Sequence, residues 1–361
     1  MKKRVLLIIL CIFLTVGCAD QEIIDEVQIV NSYGLDLEDD TKIRGTILYP
    51  IFKYGQTEEP SIIATTADTI FDIPLQLNNK SSLPIAFGQL RSLIIGESLS
   101  EKGLDDIINT IARNPDLGRT LQMAIVKGNA HEMLSSVTKK KISDSQFVSN
   151  LIEQNIKTEN LPRINFQVFL FSFFSDDRDA FLPMLKQEKD AIKLTGLALF
   201  DKDKVVGTIN MSETFLFKLL SSGSKHGRYS MHIKDDNKKG EVTLQNIRTK
   251  TNYDLHHKDD KPSITIHLKI DGLVKEYPGW INLTDPKNVT MVEDKLKEDI
   301  EKQGKKLLEK FQKMNIDPIC FTDYIRSRTR GFDSKKFKEI YSDVEFTIKA
   351  EIQLVQTGIN E

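Results

Sequence analysis

The residues best placed for metal chemistry are His256, His257, Asp259 and Asp260, four potential ligands within one short segment. Adjacent histidines on an extended strand point to opposite faces, and Lys261-Pro262 follows as a turn signal. The segment therefore reads as a solvated hairpin tip rather than a metal site. His131-Glu132 lacks the second histidine of a metalloprotease helix and reads as a helix-surface pair. Ser221-Ser222-Gly223-Ser224-Lys225 has the residue types of a phosphate-binding loop without its spacing, so a flexible connector is the simpler reading, with His226 and His232 in and after it. His267 falls on the polar face of a strand. Cys320, between Ile319 and Phe321, has no nucleophile signature and reads as a buried apolar residue. The sequence contains no G-x-S-x-G elbow. The pairs Asp105-Asp106 and Asp176-Asp177 are adjacent rather than convergent, which favours capping over acid–base catalysis. Trp280, the single tryptophan, lies in Tyr277-Pro278-Gly279-Trp280 and reads as a loop residue folded over the core, the alternative being an exposed binding anchor. No catalytic residue, metal site or cofactor emerges.

The one residue with a defined chemical role is Cys18. Lys2, Lys3 and Arg4 precede a short apolar run from Val5 to Val16, too short to span a bilayer core of about 30 Å but suited to a secretory signal. The run ends in Leu14-Thr15-Val16-Gly17-Cys18, which looks like a bacterial lipobox despite Thr15. Residues 1–17 are then expected to be a lipoprotein signal peptide, with Cys18 acylated as the new N-terminus; the alternative is a plain signal peptide, or an uncleaved anchor, with Cys18 incidental. Two or three acyl chains would anchor the chain durably where a single one is marginal.

The chain of 361 residues has 50 basic and 52 acidic residues, a balance that argues against a nucleic-acid partner. Loss of the signal removes three positive charges and leaves a mildly acidic protein. Of the cysteines Cys11, Cys18 and Cys320, the first is discarded and the second acylated, so no intrachain disulfide forms.

The elements that must hold this chain together are mixed. Strands are expected over 27–35, 42–52, 61–66, 89–95 and 121–127, with a helix over 104–112 stopped by Asn114-Pro115. An exposed helix is expected over 143–155. Ile164 to Phe174 is so apolar that periodicity leaves helix and strand both open. A hairpin is expected around Asp201-Lys202-Asp203-Lys204. Asn210 with Glu213 forms a capping-box pattern for a helix over 211–220 ended by Gly223. Ile247, Thr249, Thr251, Tyr253 and Leu255 alternate with polar residues, as do Ile264, Ile266, Leu268 and Ile270, giving a one-sided antiparallel sheet. Val242 and Leu244 are out of phase with Ile247, which predicts a bulge near Gln245-Asn246. The strongest helix spans 289–314, with Val292, Leu296, Ile300, Leu307, Leu308 and Phe311 as its apolar stripe and Glu298–Lys302, Glu301–Lys305 and Glu309–Lys313 as exposed pairs. A strand over 344–354 closes the chain. The fold class is α+β (mixed α/β): several small domains, each a mostly antiparallel sheet packed with helices. After the signal, 18–190 forms an N-terminal mixed region, divisible into two subdomains, and 191–361 a C-terminal α+β domain.

Together, the lipobox with Asp20-Gln21-Glu22-Ile23, Val27-Gln28-Ile29-Val30 and Tyr33-Gly34-Leu35-Asp36 resembles the start of the spore-germination C-subunit lipoproteins, the Ger(x)C family. The resemblance continues at Leu93-Ile94-Ile95-Gly96-Glu97, Arg113-Asn114-Pro115-Asp116, Ala124-Ile125-Val126-Lys127-Gly128, Gly196 to Phe200 with Val206-Gly207, Arg248-Thr249-Lys250-Thr251 and Leu283-Thr284-Asp285-Pro286. Ala19 departs from the tryptophan usual after the lipidated cysteine. The resemblance implies a non-enzymatic subunit of a nutrient germinant receptor, lipid-anchored on the outer face of the cell or spore inner membrane. Its implied partners are two integral membrane receptor subunits, one permease-like. Only Cys18 transfers as a site. The rival reading is a solute-binding lipoprotein of a transporter, which requires two matched α/β lobes around a ligand cleft. A cell-envelope hydrolase would need a convergent catalytic group.

Overall fold

The computed structural model describes residues 26–51, 59–139, 144–189, 191–235, 238–258 and 261–355. The signal segment, Cys18, Ala19 and the pair Asp259-Asp260 lie outside them.

Fourteen strands are present among the described residues: β1 (Gln28–Ile29), β2 (Ser32–Leu37), β3 (Ile43–Ile51), β4 (Glu59–Ala67), β5 (Ile85–Ala86), β6 (Ser92–Gly96), β7 (Gln122–Lys127), β8 (Phe181–Gln187), β9 (Ile192–Asp201), β10 (Lys204–Asn210), β11 (Arg228–Asp235), β12 (Lys238–Lys258), β13 (Lys261–Glu276) and β14 (Glu345–Leu354). Eight form one sheet in the order β10-β9-β8-β7-β6-β2-β3-β4, four form a second in the order β11-β12-β13-β14, and β1 pairs with β5.

The middle of the large sheet, β2-β6-β7-β8, is parallel, with antiparallel pairs on both flanks. Its strands are buried on both faces, so Leu93-Ile94-Ile95 and Ala124-Ile125-Val126 read as continuous apolar runs rather than alternations. Successive side chains enter two different cores. Ile94, Ala124 and Val126 belong to one cluster, and Leu93, Ile95, Met123 and Ile125 to the other. Helices Glu97–Lys102 and Asp105–Arg113 connect β6 to β7, and helices Ala130–Lys139, Phe147–Lys157 and Phe166–Phe173 connect β7 to β8. The stretch 164–174 thus holds helix Phe166–Phe173, and Asn165 caps it by accepting from the Val168 amide at 2.9 Å. Helix Phe147–Lys157 is not simply exposed, because it buries Val148 and Ile152 against the first cluster.

The join at 190 falls between β8 and β9, which pair antiparallel in the same sheet. The first cluster runs on from Leu197 and Leu199 through helix Met211–Ser222 into the second sheet and the long helix. The two halves of the chain therefore share a core. Their sheets are unlike, so the described residues do not form the two matched lobes expected of a solute-binding protein.

The capping box is formed as the sequence indicates: Asn210 Oδ1 accepts from Glu213 N at 2.9 Å, and Glu213 Oε2 from Asn210 N at 2.8 Å. In β12 the register shifts between Asn246 and Arg248, so the bulged residue is Ile247 itself. Contrary to the alternation, Ile247 points outward and is exposed, while Asn246 is buried. The long helix, Pro286–Met314, crosses from β13 to the parallel β14 and buries the expected stripe together with Gly304. A Cβ on Gly304 would lie 2.7 Å from Ile348 Cδ1, so glycine lets β14 approach. Glu301 does not serve a surface pair. It accepts from Ala350 N at 2.8 Å, as Glu293 does from Leu354 N, and together they satisfy amides of β14, the outer strand of its sheet.

Candidate functional site

The family-like motifs act first as joints of the fold. Asp36 accepts from Ala130 N at 2.6 Å and His131 N at 2.8 Å, so its carboxylate caps helix Ala130–Lys139. Burial raises the Asp36 pKa against those bonds. His131, expected as a surface partner of Glu132, instead sets Nδ1 3.0 Å from Thr46 Oγ1. The bulge at Ile247 lets Thr249 Oγ1 donate to Asn246 Oδ1 at 2.8 Å, and Thr251 Oγ1 donates to Leu219 O at 2.6 Å.

The polar loop after helix Met211–Ser222 is no loose connector. Gly223 turns it with φ +71°, and Glu159, also at positive φ, reaches into it. Glu159 Oε2 accepts from Ser224 Oγ and Lys225 N, each at 2.7 Å, from His226 N at 3.3 Å and from Lys218 Nζ at 3.2 Å. Burial opposes the charge, yet the Ser224 and Lys225 bonds and the Lys218 ammonium outweigh it and hold the Glu159 carboxyl at about 2. The loop does hold an anion, and that anion belongs to the protein itself. Around it runs a groove of about 1090 Å³ in which Arg163, Lys225, Arg248 and Lys250 make no ion pair among the described residues.

Beside the groove, a polar junction ties the segment before β8 and the end of β9 to the C-terminal region. Arg178 pairs with Asp323 at 2.5 Å, Asp177 with Arg326 at 3.0 Å, and Lys338 with Asp201 at 3.1 Å. Asp179 Oδ2 accepts from Asp317 N at 2.7 Å. Asp317 is 5% exposed, and its Oδ2 accepts from Thr322 N and Oγ1 at 2.6 and 2.8 Å. Its other oxygen has no partner among the described residues, and burial pushes its pKa up to about 6. Cys320 adopts a left-handed conformation with φ 71° and is half-buried rather than fully buried. Burial pushes its thiol up to about 12, the reverse of an activated nucleophile.

The remaining sequence candidates do not converge. His256 pairs with Ser263 across the β12–β13 hairpin, and no cluster of three metal-ligating side chains exists among the described residues. His267 Nε2 lies 2.9 Å from Asp254 Oδ2 on the exposed face. Trp280 packs on the core with the Lys238 ammonium 5.8 Å from its ring centre. Sequence reasoning missed the Glu159 site and the Asp179–Asp317 junction. Their partners are far apart in the chain, and the only local signal was the cluster of small polar residues at 221–225.

Residues 20–187 match the N-terminal domain of spore germination proteins, and residues 195–358 match the C-terminal domain described as spore germination B3/GerAC like. The chain is 30% identical to spore germination protein GerQC of Bacillus cereus, covering 100% of both chains. It is 21% identical to spore germination protein KC of Bacillus subtilis strain 168, over 98% of this chain and 95% of that one. The crystal structure of the GerBC protein superposes with a TM-score of 0.59 at 17% identity, covering 90% of this chain and 97% of that one, and so shares its fold. The chain belongs to the GerAC-like family of spore germination proteins, the C subunits of germinant receptors.

Proposed function

We propose that this chain is the non-catalytic, lipid-anchored subunit of a nutrient germinant receptor. It is acylated at Cys18, held on the outer face of the spore inner membrane, and docked on two integral membrane subunits, one of them permease-like. The observation that carries this reading is the collinear similarity to a germination protein over the whole chain, with both family domains in order. Two further features support it. The described helices include none long and apolar enough to cross a membrane, and acylation of Cys18 is the attachment this reading requires. The carboxylates of Asp36, Glu159 and Asp323 serve a helix cap, a loop nest and an ion pair, which are structural roles. Lipid attachment confines the subunit to a surface and so raises its effective concentration near its membrane partners.

Replacing Cys18 by alanine in the spore tests this. The variant should accumulate as an uncleaved precursor, fail to co-purify with the two membrane subunits, and germinate poorly in the nutrient served by that receptor. Normal maturation and unchanged membrane retention of the variant would sink the proposal.

A further inference from the structure

The exposed apolar side chains are not spread evenly. Phe71 and Leu75 are 71% and 59% exposed, and they lie one helical turn apart on helix Asp72–Asn78, which follows β4. They rim a hollow of about 630 Å³ lined by Tyr33, Ile111, Leu117, Pro74, Phe87 and Asn114. The last three of these also line the adjoining hollow, which contains Val27 and Pro50. Gln28 binds the carbonyls of Pro84 and Pro50, and the neighbours of those prolines, Leu83 and Ile51, are again exposed. One exposed apolar region, distinct from that of Val168, Phe171 and Phe174, thus surrounds the point where the described chain begins. Contiguous exposed apolar surface of this kind marks a contact with another molecule or a membrane.

The sequence says what lies within reach of that end. Seven residues separate Cys18 from Glu26, and at about 3.5 Å for each of the eight steps an extended chain spans at most about 28 Å. We infer that the face formed by Phe71, Leu75, Ile51 and Leu83 rests in the phospholipid surface to which Cys18 is anchored. This orients the large sheet with its β4 edge toward the bilayer and its β10 edge away. The inference builds on acylation of Cys18. Aromatic and leucine side chains gain by entering the boundary between headgroups and acyl chains, while the short tether keeps them there. Arg91 and Arg113, which line the same two hollows, stand where phosphate headgroups would lie.

The test uses the acylated full chain in vesicles of phosphatidylcholine and phosphatidylglycerol whose acyl chains carry bromine, a contact quencher of tryptophan. Trp280 is the single tryptophan, so a Trp280→Phe background is silent. In it, Phe71→Trp should shift to shorter wavelength and lose most of its emission. Val206→Trp, on the exposed surface of β10 at the far edge of the sheet, should stay bright. Equal brightness of both probes on sedimenting vesicles overturns this orientation and leaves the anchor standing. Quenching or shift of Phe71→Trp only when the two integral subunits share the vesicle overturns it in favour of a protein contact. A chain that fails to sediment overturns the anchor and this inference together. The double variant Phe71→Ser, Leu75→Ser should still sediment through its lipid but lose protection of helix Asp72–Asn78 against protease on vesicles. Unchanged protection would also overturn the inference.

Discussion

Glu159 Oε2 accepts a 2.7 Å hydrogen bond from Ser224 Oγ, although the two residues are 65 positions apart. The bond fastens the end of helix Phe147–Lys157 to the loop after helix Met211–Ser222, so it joins the family's two domains by a charge. Lys218, 7% exposed along its side chain, completes the arrangement. Glu159→Gln keeps a hydrogen-bonding group but leaves that ammonium without its counter-charge, and should cost about 2 kcal/mol in a denaturant melt.

The same carboxylate sets a pH dependence. Its folded pKa of about 2 lies below the ordinary value of 4.5. Its contribution to stability is therefore complete above pH 4.5 and fades as pH falls from there toward 2. Melting temperatures of the native chain and Glu159→Gln, measured across that window, should converge at the acid end. A gap that stays constant would refute the assignment.

Asp317 has the opposite sign. Its folded pKa of about 6 stands above the usual 3.8, so the folded state holds a proton that the unfolded chain releases. Ionised Asp317 opposes folding above pH 6, and the penalty disappears as pH falls from 6 to 3.8. At neutral pH the cost is of order 2–3 kcal/mol. Asp317→Asn keeps an oxygen for Thr322 and removes the charge facing Asp179. It should raise the melting temperature at pH 7.5 and leave it nearly unchanged at pH 4; destabilisation at pH 7.5 would contradict this account.

How much of this was legible in the sequence depends on where the partners of each residue lie. The stripe from Val292 to Phe311 and the alternation in β13 and β14 are local patterns, and they fold as their periods dictate. The capping box at Asn210 and Glu213 is equally local. In β6 and β7 both faces are buried, so no period distinguishes a parallel centre from any other apolar run. Ile247 shows the limit most clearly. The phase change around it reveals a bulge, but the residue that is extruded is settled by the pairing of Asn246 and Arg248 with β13. Glu159 carried no signal at all, since its role depends on a loop in the other half of the chain.

Asn210 offers a direct test of a feature that the sequence does show. Asn210→Ala removes the acceptor for the Glu213 amide and should cost about 1 kcal/mol. Glu213 also binds Lys310 of the long helix at 3.0 Å. Glu213→Ala should therefore cost more than Asn210→Ala in the same denaturant series, because it loses both the side-chain bond to Asn210 N and the link to that helix. Equal losses would show that the link contributes nothing.

Glu293 and Glu301 make the last case. They stand two helical turns apart on the long helix and reach the amides of Leu354 and Ala350 on β14. That strand is the outer one of its sheet, and unpaired amides on an outer strand are a template for pairing with another chain. The glutamates satisfy two of those donors and set negative charge along the edge, which repels a second copy. Glu293→Ala with Glu301→Ala removes both effects. The melting temperature should fall, since each bond to a charged acceptor contributes about 1.5–3 kcal/mol net. The larger change should be colloidal. Light scattering at raised protein concentration should show self-association that the native chain lacks, and restoring either glutamate should reduce it. If the double variant stays monodisperse, the two glutamates act as helix–strand bonds only, and the edge is protected by other means.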